Sequence, residues 1–343
     1  QLEAVQSGCY TKSTGVGVHG WWFDQWQAVD QRFRDQVGRD PGIASHLHGN
    51  PDKPFTLSPL MGLPASLPGS LIQFSAGQAA WLRFCLLSDS EEMQTALLHP
   101  RCGFLAALPD RIRIGGTDWR ITARADSPQA HPWAGQASYA TLLSGAPADA
   151  WEIELATPTL FNGKNGTFPF PLPGSLVESW LRRWNAFYAA EPFDDALSEA
   201  VRAGGLAVQG YALQAEAFIE GNHDSVGCTG RLTFAARRLT GRQRKQVDAL
   251  ARFSFYCGSG RHTAQGMGLT RPLPATGCCD DGWGVSMFCR SSQLDCIHPP
   301  QVAVFTPEFL KKPAQIATIP RLFKQIPIVA SHCIRQALGG IGA

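Results

Sequence analysis

The chain has 343 residues, 44% of them hydrophobic and 17% charged, with a formal net charge of +2. This length and apolar content exclude a disordered chain and suit two modules better than one. No run of eighteen apolar residues exists to span a bilayer, and the N-terminus lacks the charged-then-apolar layout of a secretory signal, so a soluble intracellular protein with no membrane partner is expected.

In chain order, Trp22, Trp26, Val29 and Phe33 lie three to four residues apart and predict an amphipathic helix over Trp21–Val37, with His19 at its head. Asp40-Pro41 ends it. Gly42–His48 reads as a short helical piece, and Asn50-Pro51-Asp52 as a turn into a strand over Phe55–Leu60. Strands follow near Leu71–Phe74 and Ala80–Leu87, then a helix over Glu91–Leu108 and a hairpin over Arg111–Arg124 centred on Gly115-Gly116. With a first strand from the opening residues, the order is βαββαβ.

Asp126–Ala150 is rich in Ser, Pro, Ala and Gly and lacks strong periodicity, which places a module boundary there or in the strand just after. Trp151–Thr157 is the next strand, and Pro171–Ser175 caps a helix over Leu176–Tyr188. Leu206–Glu220 and Val226–Arg237 form an antiparallel pair around Gly221–Asp224, followed by a helix over Gln243–Tyr256 and a strand over Leu269–Leu273. The second half repeats the order of the first. The expected class is α+β, with tandem ferredoxin-like (RRM-like, βαββαβ) modules at 1–145 and 146–275. Residues 276–343 form a C-terminal extension with a Pro299-Pro300 break and a glycine-rich end.

Cys9, Cys85, Cys102, Cys228 and Cys257 are scattered and read as ordinary buried thiols. Cys278, Cys279, Cys289 and Cys296, followed by His298, are closer together, but their gaps do not match common zinc spacings. No metal or other cofactor is expected. The chain opens on Gln1 rather than Met, which predicts a missing start residue or short leader.

The small net charge conceals an uneven distribution. Between Arg231 and Arg271, nine basic residues face one acid, Asp248, an excess that suits a polyanion and equally a solvated helix face. The run Gly258-Ser-Gly260-Arg-His-Thr-Ala-Gln-Gly266-Met-Gly268 follows this basic helix. Its glycines would let backbone N–H groups approach a phosphate, beside the donors Arg261, His262 and Thr263. It matches neither a dinucleotide loop nor a nucleotide-triphosphate loop.

At these residues the chain resembles the CRISPR-associated repeat-RNA endoribonucleases of the RAMP superfamily. Gly258, Gly260, Thr263, Gly266 and Gly268 satisfy their G-x-G-x-x-T-x-x-G-x-G signature. Leu47-His48 with Lys53-Pro54-Phe55-Thr56 and Ser58 is similar to the family's first-module block. Thr157-Pro158 with Pro171 through Trp184-Asn185 is similar to its second-module block. The resemblance covers roughly the first 275 residues, including His19-Gly20.

The resemblance implies a prokaryotic, cytoplasmic enzyme that cuts CRISPR repeat RNA without metal, the ribose 2′-OH attacking the adjacent phosphorus to leave a 2′,3′-cyclic phosphate. A histidine suits the base or acid, and a lysine or arginine the extra charge on phosphorus. By resemblance His48 is the first catalytic candidate, Lys53 follows it, and His19 is the second, its pKa lowered by the helix dipole. Phe23 stands where some members carry a tyrosine, so a hydroxyl role is lost there; Trp21, Trp22 and Trp26 read as core. Arg237, Arg238, Arg242, Arg244 and Lys245 are assigned to the RNA backbone, and Arg261, His262 and Thr263 to phosphates near the glycine loop. The repeat RNA or crRNA is the expected partner, with other CRISPR effector or adaptation proteins beside it. Two further readings stay open: a non-cleaving RNA-binding subunit of an effector complex, and the processing module of a fusion with a reverse transcriptase or integrase.

Overall fold

The computed structural model describes residues 1–10, 13–64, 71–88, 90–163, 166–220, 223–274 and 329–330. Nearly all of the 276–343 extension, with its cysteine group, lies outside the described residues.

The first module opens with strands β1 (Leu2–Ala4) and β2 (Gly8–Tyr10) and helix α1 (Gly15–Val37). Helix α2 (Ile43–Gly49) and strands β3 (Phe55–Leu57), β4 (Ile72–Phe74), β5 (Ala79–Ala80) and β6 (Phe84–Leu86) follow. Helices α3 (Glu91–Leu98) and α4 (Phe104–Ala107) lead into the hairpin β7 (Arg111–Ile114) and β8 (Thr117–Ile121). β1 lies between β5 and β8, and β3 pairs with β6 in line with β5 through a Met61–Trp81 bridge. This is the ferredoxin-like strand order. Trp22 and Trp26, as the α1 periodicity predicted, are fully buried in its core with Phe55, Phe104 and Trp119, and Trp21 is nearly so.

Three expectations shift here. Helix α1 begins six residues early, at Gly15, so His19 lies in its second turn and not at its head. Glu91–Leu108 is two helices, because the helix cannot run through Pro100; Gly103 N–H instead donates to the His99 carbonyl at 2.9 Å. The strand expected over Phe55–Leu60 stops at Leu57.

Strand β9 (Gln136–Ala137) and helix α5 (Tyr139–Leu143), whose Ser138 cap accepts from Thr141 N–H, occupy the segment that lacked periodicity. The second module contains β10 (Ala150–Thr159), the small hairpin β11 (Phe161–Gly163) and β12 (Gly166–Phe168), α6 (Pro173–Phe187) and α7 (Asp195–Ala200). It closes with β13 (Leu206–Glu220), β14 (His223–Ala236), α8 (Gly241–Cys257) and β15 (Thr270–Leu273). Its sheet runs β13-β14-β10-β15, so the first strand of the unit sits centrally between the third and the last, again ferredoxin-like. Thr240 and Gln243 form a capping box that starts α8. The second core recruits Cys85, Leu87, Tyr139 and Leu142 from earlier in the chain. Of the scattered cysteines, Cys85, Cys102, Cys228 and Cys257 are buried, but Cys9 is exposed.

The glycine-rich loop joins the modules. A Cβ on Gly15 would lie 1.9 Å from the Gln265 carbonyl oxygen, and one on Gly268 would lie 1.9 Å from that of Ser259. Gly268 also has φ +64, a left-handed conformation that costs a side chain energy. Gly268→Ala is therefore expected to lose roughly 2–5 kcal/mol, from backbone strain plus overpacking. Gly20→Ala, on the open face of α1 with nothing near its Cβ, is expected to gain roughly 0.5–1 kcal/mol. Guanidinium unfolding midpoints of the two variants check the contrast.

Candidate active site

Two helices and a turn bring the three candidate catalytic residues together. Asp30 on α1 is buried and accepts hydrogen bonds from the backbone N–H groups of Ile43 (3.0 Å) and Ala44 (2.9 Å). The first turn of α2 is thereby capped by another helix. Burial raises the pKa of Asp30, and the Ala44 and Ile43 hydrogen bonds work against that rise. With α2 clamped in this way, its last turn presents His48 beside α1.

His19 and His48 both meet Phe23. The His19 and Phe23 ring centres are 4.9 Å apart, those of Phe23 and His48 5.4 Å, each in an edge contact. Lys53 follows in the turn after α2, with φ +46, and its ammonium donates to the His48 carbonyl. An Asn50 side chain that accepts from Asp52 N–H (3.0 Å) shapes that turn. Arg182 of α6 approaches Asp52 at 3.9 Å, an exposed contact of small energy.

His19 is half-buried, and its pKa is lowered first by that burial, then by the charges of Lys53 and His48. The direction matches the sequence expectation, but the cause differs. A helix dipole acts within the first turn, and His19 lies beyond it. Its imidazole stays neutral below the ordinary value of about 6.5. His48 is exposed.

The glycine loop departs further from expectation. Gly258, Gly260, Gly266 and Gly268 all have positive φ, as does His262. Most of the loop's backbone N–H groups are spent inside the protein. Ser259 donates to Gly268 (2.8 Å), Gly260 to the Ser179 hydroxyl (2.9 Å) and Arg261 to Leu160 (2.9 Å). Gln265 and Met267 donate to His262, and Gly268 to Pro158 (3.0 Å). Thr263 is only 1% exposed, its methyl group against Gly258 and Gly268. The glycines thus serve close backbone packing in place of an open anion nest, and Arg261 and His262 are the loop's half-buried polar side chains.

The basic run is also rearranged. Arg237, Arg238, Arg242 and Lys245 are exposed and Arg244 half-buried, all at the start of α8 or just before it. The glycine loop lies at the other end of that 17-residue helix, about 25 Å away at 1.5 Å per residue. Arg244 pairs with Asp149, Arg242 with Asp194 at 3.7 Å, Arg252 with Asp248 at 2.7 Å, and Arg271 with Glu154.

Two buried arginines went unnoticed in the sequence. Arg83 is 7% exposed and Arg183 5%, and each has two enclosed guanidinium nitrogens without a hydrogen-bond partner. Burial pushes the Arg183 pKa below its ordinary value. Its signal was present: Arg183 stands on the apolar stripe of α6, with Leu176 and Trp180 at helical spacing.

Among the described residues, no three His, Cys, Asp or Glu side chains stand together as a metal site, and no helix is long and apolar enough to cross a membrane.

Residues 153–270 match the model of the CRISPR-associated endoribonuclease Cas6. A Cas6 product complex is similar over 80% of this chain and 98% of its own, at 26% identity and a TM-score of 0.60. The same Cas6 protein in a substrate-mimic complex is 26% identical over 79% of this chain and 97% of its own, with a TM-score of 0.56. Thermus thermophilus Cas6, at 22% identity over 79% and 98% with a TM-score of 0.51, shares the fold. No curated protein matches the chain.

In a histidine-resolved NMR titration, His19 is expected to titrate below an ordinary imidazole. Its pKa should rise in Lys53→Ala, because removing a positive neighbour makes protonation easier.

Proposed function

We propose that this chain, whose residues 153–270 match the Cas6 endoribonuclease model and which resembles a Cas6 product complex over 80% of its length, cuts CRISPR repeat RNA without a metal ion, at His19, His48 and Lys53. The observation that carries this reading is that His19 and His48, from two helices, flank Phe23, with the Lys53 ammonium on the His48 carbonyl.

The chemistry needs no external water. The 2′-OH gives its proton to a neutral imidazole as its oxygen bonds to phosphorus. The P–O5′ bond then breaks, and the departing 5′-oxygen takes a proton from an acid. The upstream product ends in a 2′,3′-cyclic phosphate and the downstream product in a 5′-OH. His48, exposed at the end of α2, acts as the principal base. The Lys53 ammonium stabilises charge on the pentacoordinate phosphorus. His19 is the second base-competent imidazole, kept neutral by burial. Phe23 offers no proton and holds the two imidazoles apart.

Cutting is assigned to residues 1–145 and RNA grip to 146–275. Arg237, Arg238, Arg242, Arg244 and Lys245 hold phosphates at the start of α8, and Arg261 and His262 hold them at the glycine loop, whose buried Thr263 and glycines Gly258, Gly260, Gly266 and Gly268 fix its shape. These contacts position the RNA and make binding depend on salt.

The test incubates labelled repeat RNA with the protein in EDTA. Cleavage is expected, with a cyclic phosphate end, and none when the nucleotide at the cut site is 2′-deoxy. His48→Ala should slow single-turnover cleavage by about 10²–10⁴-fold and Lys53→Ala by about 10²–10³-fold. A requirement for added magnesium would sink the mechanism. Loss in His19→Ala with full activity in His48→Ala would reassign the base, and tight binding without cleavage would favour the non-cleaving subunit.

A further inference from the structure

A second site shares no residue with the His19–His48–Lys53 cluster. It is a cavity of about 80 Å³ in the first module. Trp81, Trp133 and His131 supply rings to its wall, Arg83 and Arg124 supply cations, and neither Asp nor Glu lines it.

The rings are ordered. Trp81 and Trp133 stack with centres 6.0 Å apart and planes 24° apart, and Trp133 stacks on Phe255 at 6.1 Å and 9°. His131 meets Trp81 edge-on at 4.9 Å. Trp133 is buried between its neighbours, whereas Trp81 is partly exposed at the outer end of the stack. A further flat ring would extend it.

The charge is the second observation. Arg83 lies over Phe255 at 4.2 Å, and its Nε and Nη2 are enclosed without an acceptor. Enclosed donors of a permanent cation cost free energy unless an anion or acceptor reaches them. Arg124 is half-buried, and its one hydrogen bond among the described residues is a long one to the Leu108 carbonyl, at 3.4 Å. Burial lowers the pKa of His131, so at neutral pH the ring is uncharged; its Nδ1 accepts from Trp133 N–H at 3.2 Å, which leaves Nε2–H as a donor. A wall of stacked rings and acceptor-poor cations, without a carboxylate, selects a ligand that is both flat and anionic.

We propose that this cavity takes the phosphate of a single nucleotide, drawn to Arg83 and Arg124, while the base lies at its mouth on Trp81. The nucleotide is either a free monophosphate or an unpaired nucleotide of a bound RNA. The chemistry of recognition is the same for both, and it does not depend on the assignment of the cutting residues.

Tryptophan fluorescence of the full chain, titrated with AMP, UMP, adenosine and inorganic phosphate, tests the inference. A monophosphate is expected to quench saturably, with adenosine and phosphate each at least tenfold weaker. Trp81→Ala and Arg124→Ala, both at partly exposed positions, should weaken the monophosphate at least tenfold while their circular dichroism and unfolding midpoints stay near those of the parent. Arg83→Leu is the stronger variant, and these two keep the test valid if it fails to fold. Displacement of the nucleotide by repeat RNA assigns the site to an RNA nucleotide; failure to displace it assigns the site to a free one. Absence of saturable quenching by either monophosphate, or adenosine binding as tightly as AMP, overturns the proposal. Repeat cleavage measured on the same preparations keeps that outcome separate from failure of the nuclease reading, since neither variant touches the His19–His48–Lys53 cluster.

Discussion

The approach of the Gln265 carbonyl to Gly15 is the contact on which the rest of the site depends. It is close enough that a single Cβ would block it. Around it the glycine loop reaches in both directions. Gly266 packs on Pro59 of the first module, while Arg261 and Gly268 donate to Leu160 and Pro158 of the second. Close backbone packing of this kind leaves little room for adjustment. The loop therefore fixes where the start of α1 sits against the end of α8, and with it the position of His19, one turn further along α1.

From that fixed point the geometry of the proposed cutting residues is built by ordinary forces. The buried tryptophans of α1 hold the helix to its sheet, and Asp30 holds α2 to α1 by two backbone hydrogen bonds. A carboxylate buried to cap another helix is costly unless its acceptors are filled, and here the two N–H groups fill them. Thr56, on the strand after the Lys53 turn, donates to the Tyr256 carbonyl at the end of α8 (2.8 Å). The strand beside the Lys53 turn and the helix leading into the glycine loop are thus tied across the two modules.

Much of this was legible in the sequence, and the failures have particular causes. Periodicity found α1, α6 and α8, because each buries a continuous stripe of large side chains. The start of α1 carried no local signal. Thr14 stands at the cap position, but its hydroxyl accepts from Leu60 N–H at 2.7 Å instead of from the helix, a contact between residues 46 apart in sequence. Pro100 breaks the helix expected over Glu91–Leu108, although apolar residues continue on both sides of it. The G-x-G-x-x-T-x-x-G-x-G pattern located the loop correctly, yet glycines that open a backbone to phosphate and glycines that let two backbones touch look identical in sequence. Only the partners, Leu160, Pro158 and Gly15, distinguish them. Convergence of His19 with His48 could not be read from spacing, since it rests on the angle between two helices.

The basic run illustrates the same limit and changes how grip and cut are related. In sequence, Arg237 to Lys245 and Arg261-His262 are close enough to be taken as one patch. In space a helix separates them, and Arg244, Arg252 and Arg271 spend charge on neighbouring carboxylates. The excess of positive charge is therefore divided into two groups at the ends of α8. An RNA that meets both must run along the helix, and its end at the glycine loop then lies against the start of α1. That is the end from which His19, Phe23 and His48 are reached, so the path that binding charge lays down leads toward the residues proposed to cut.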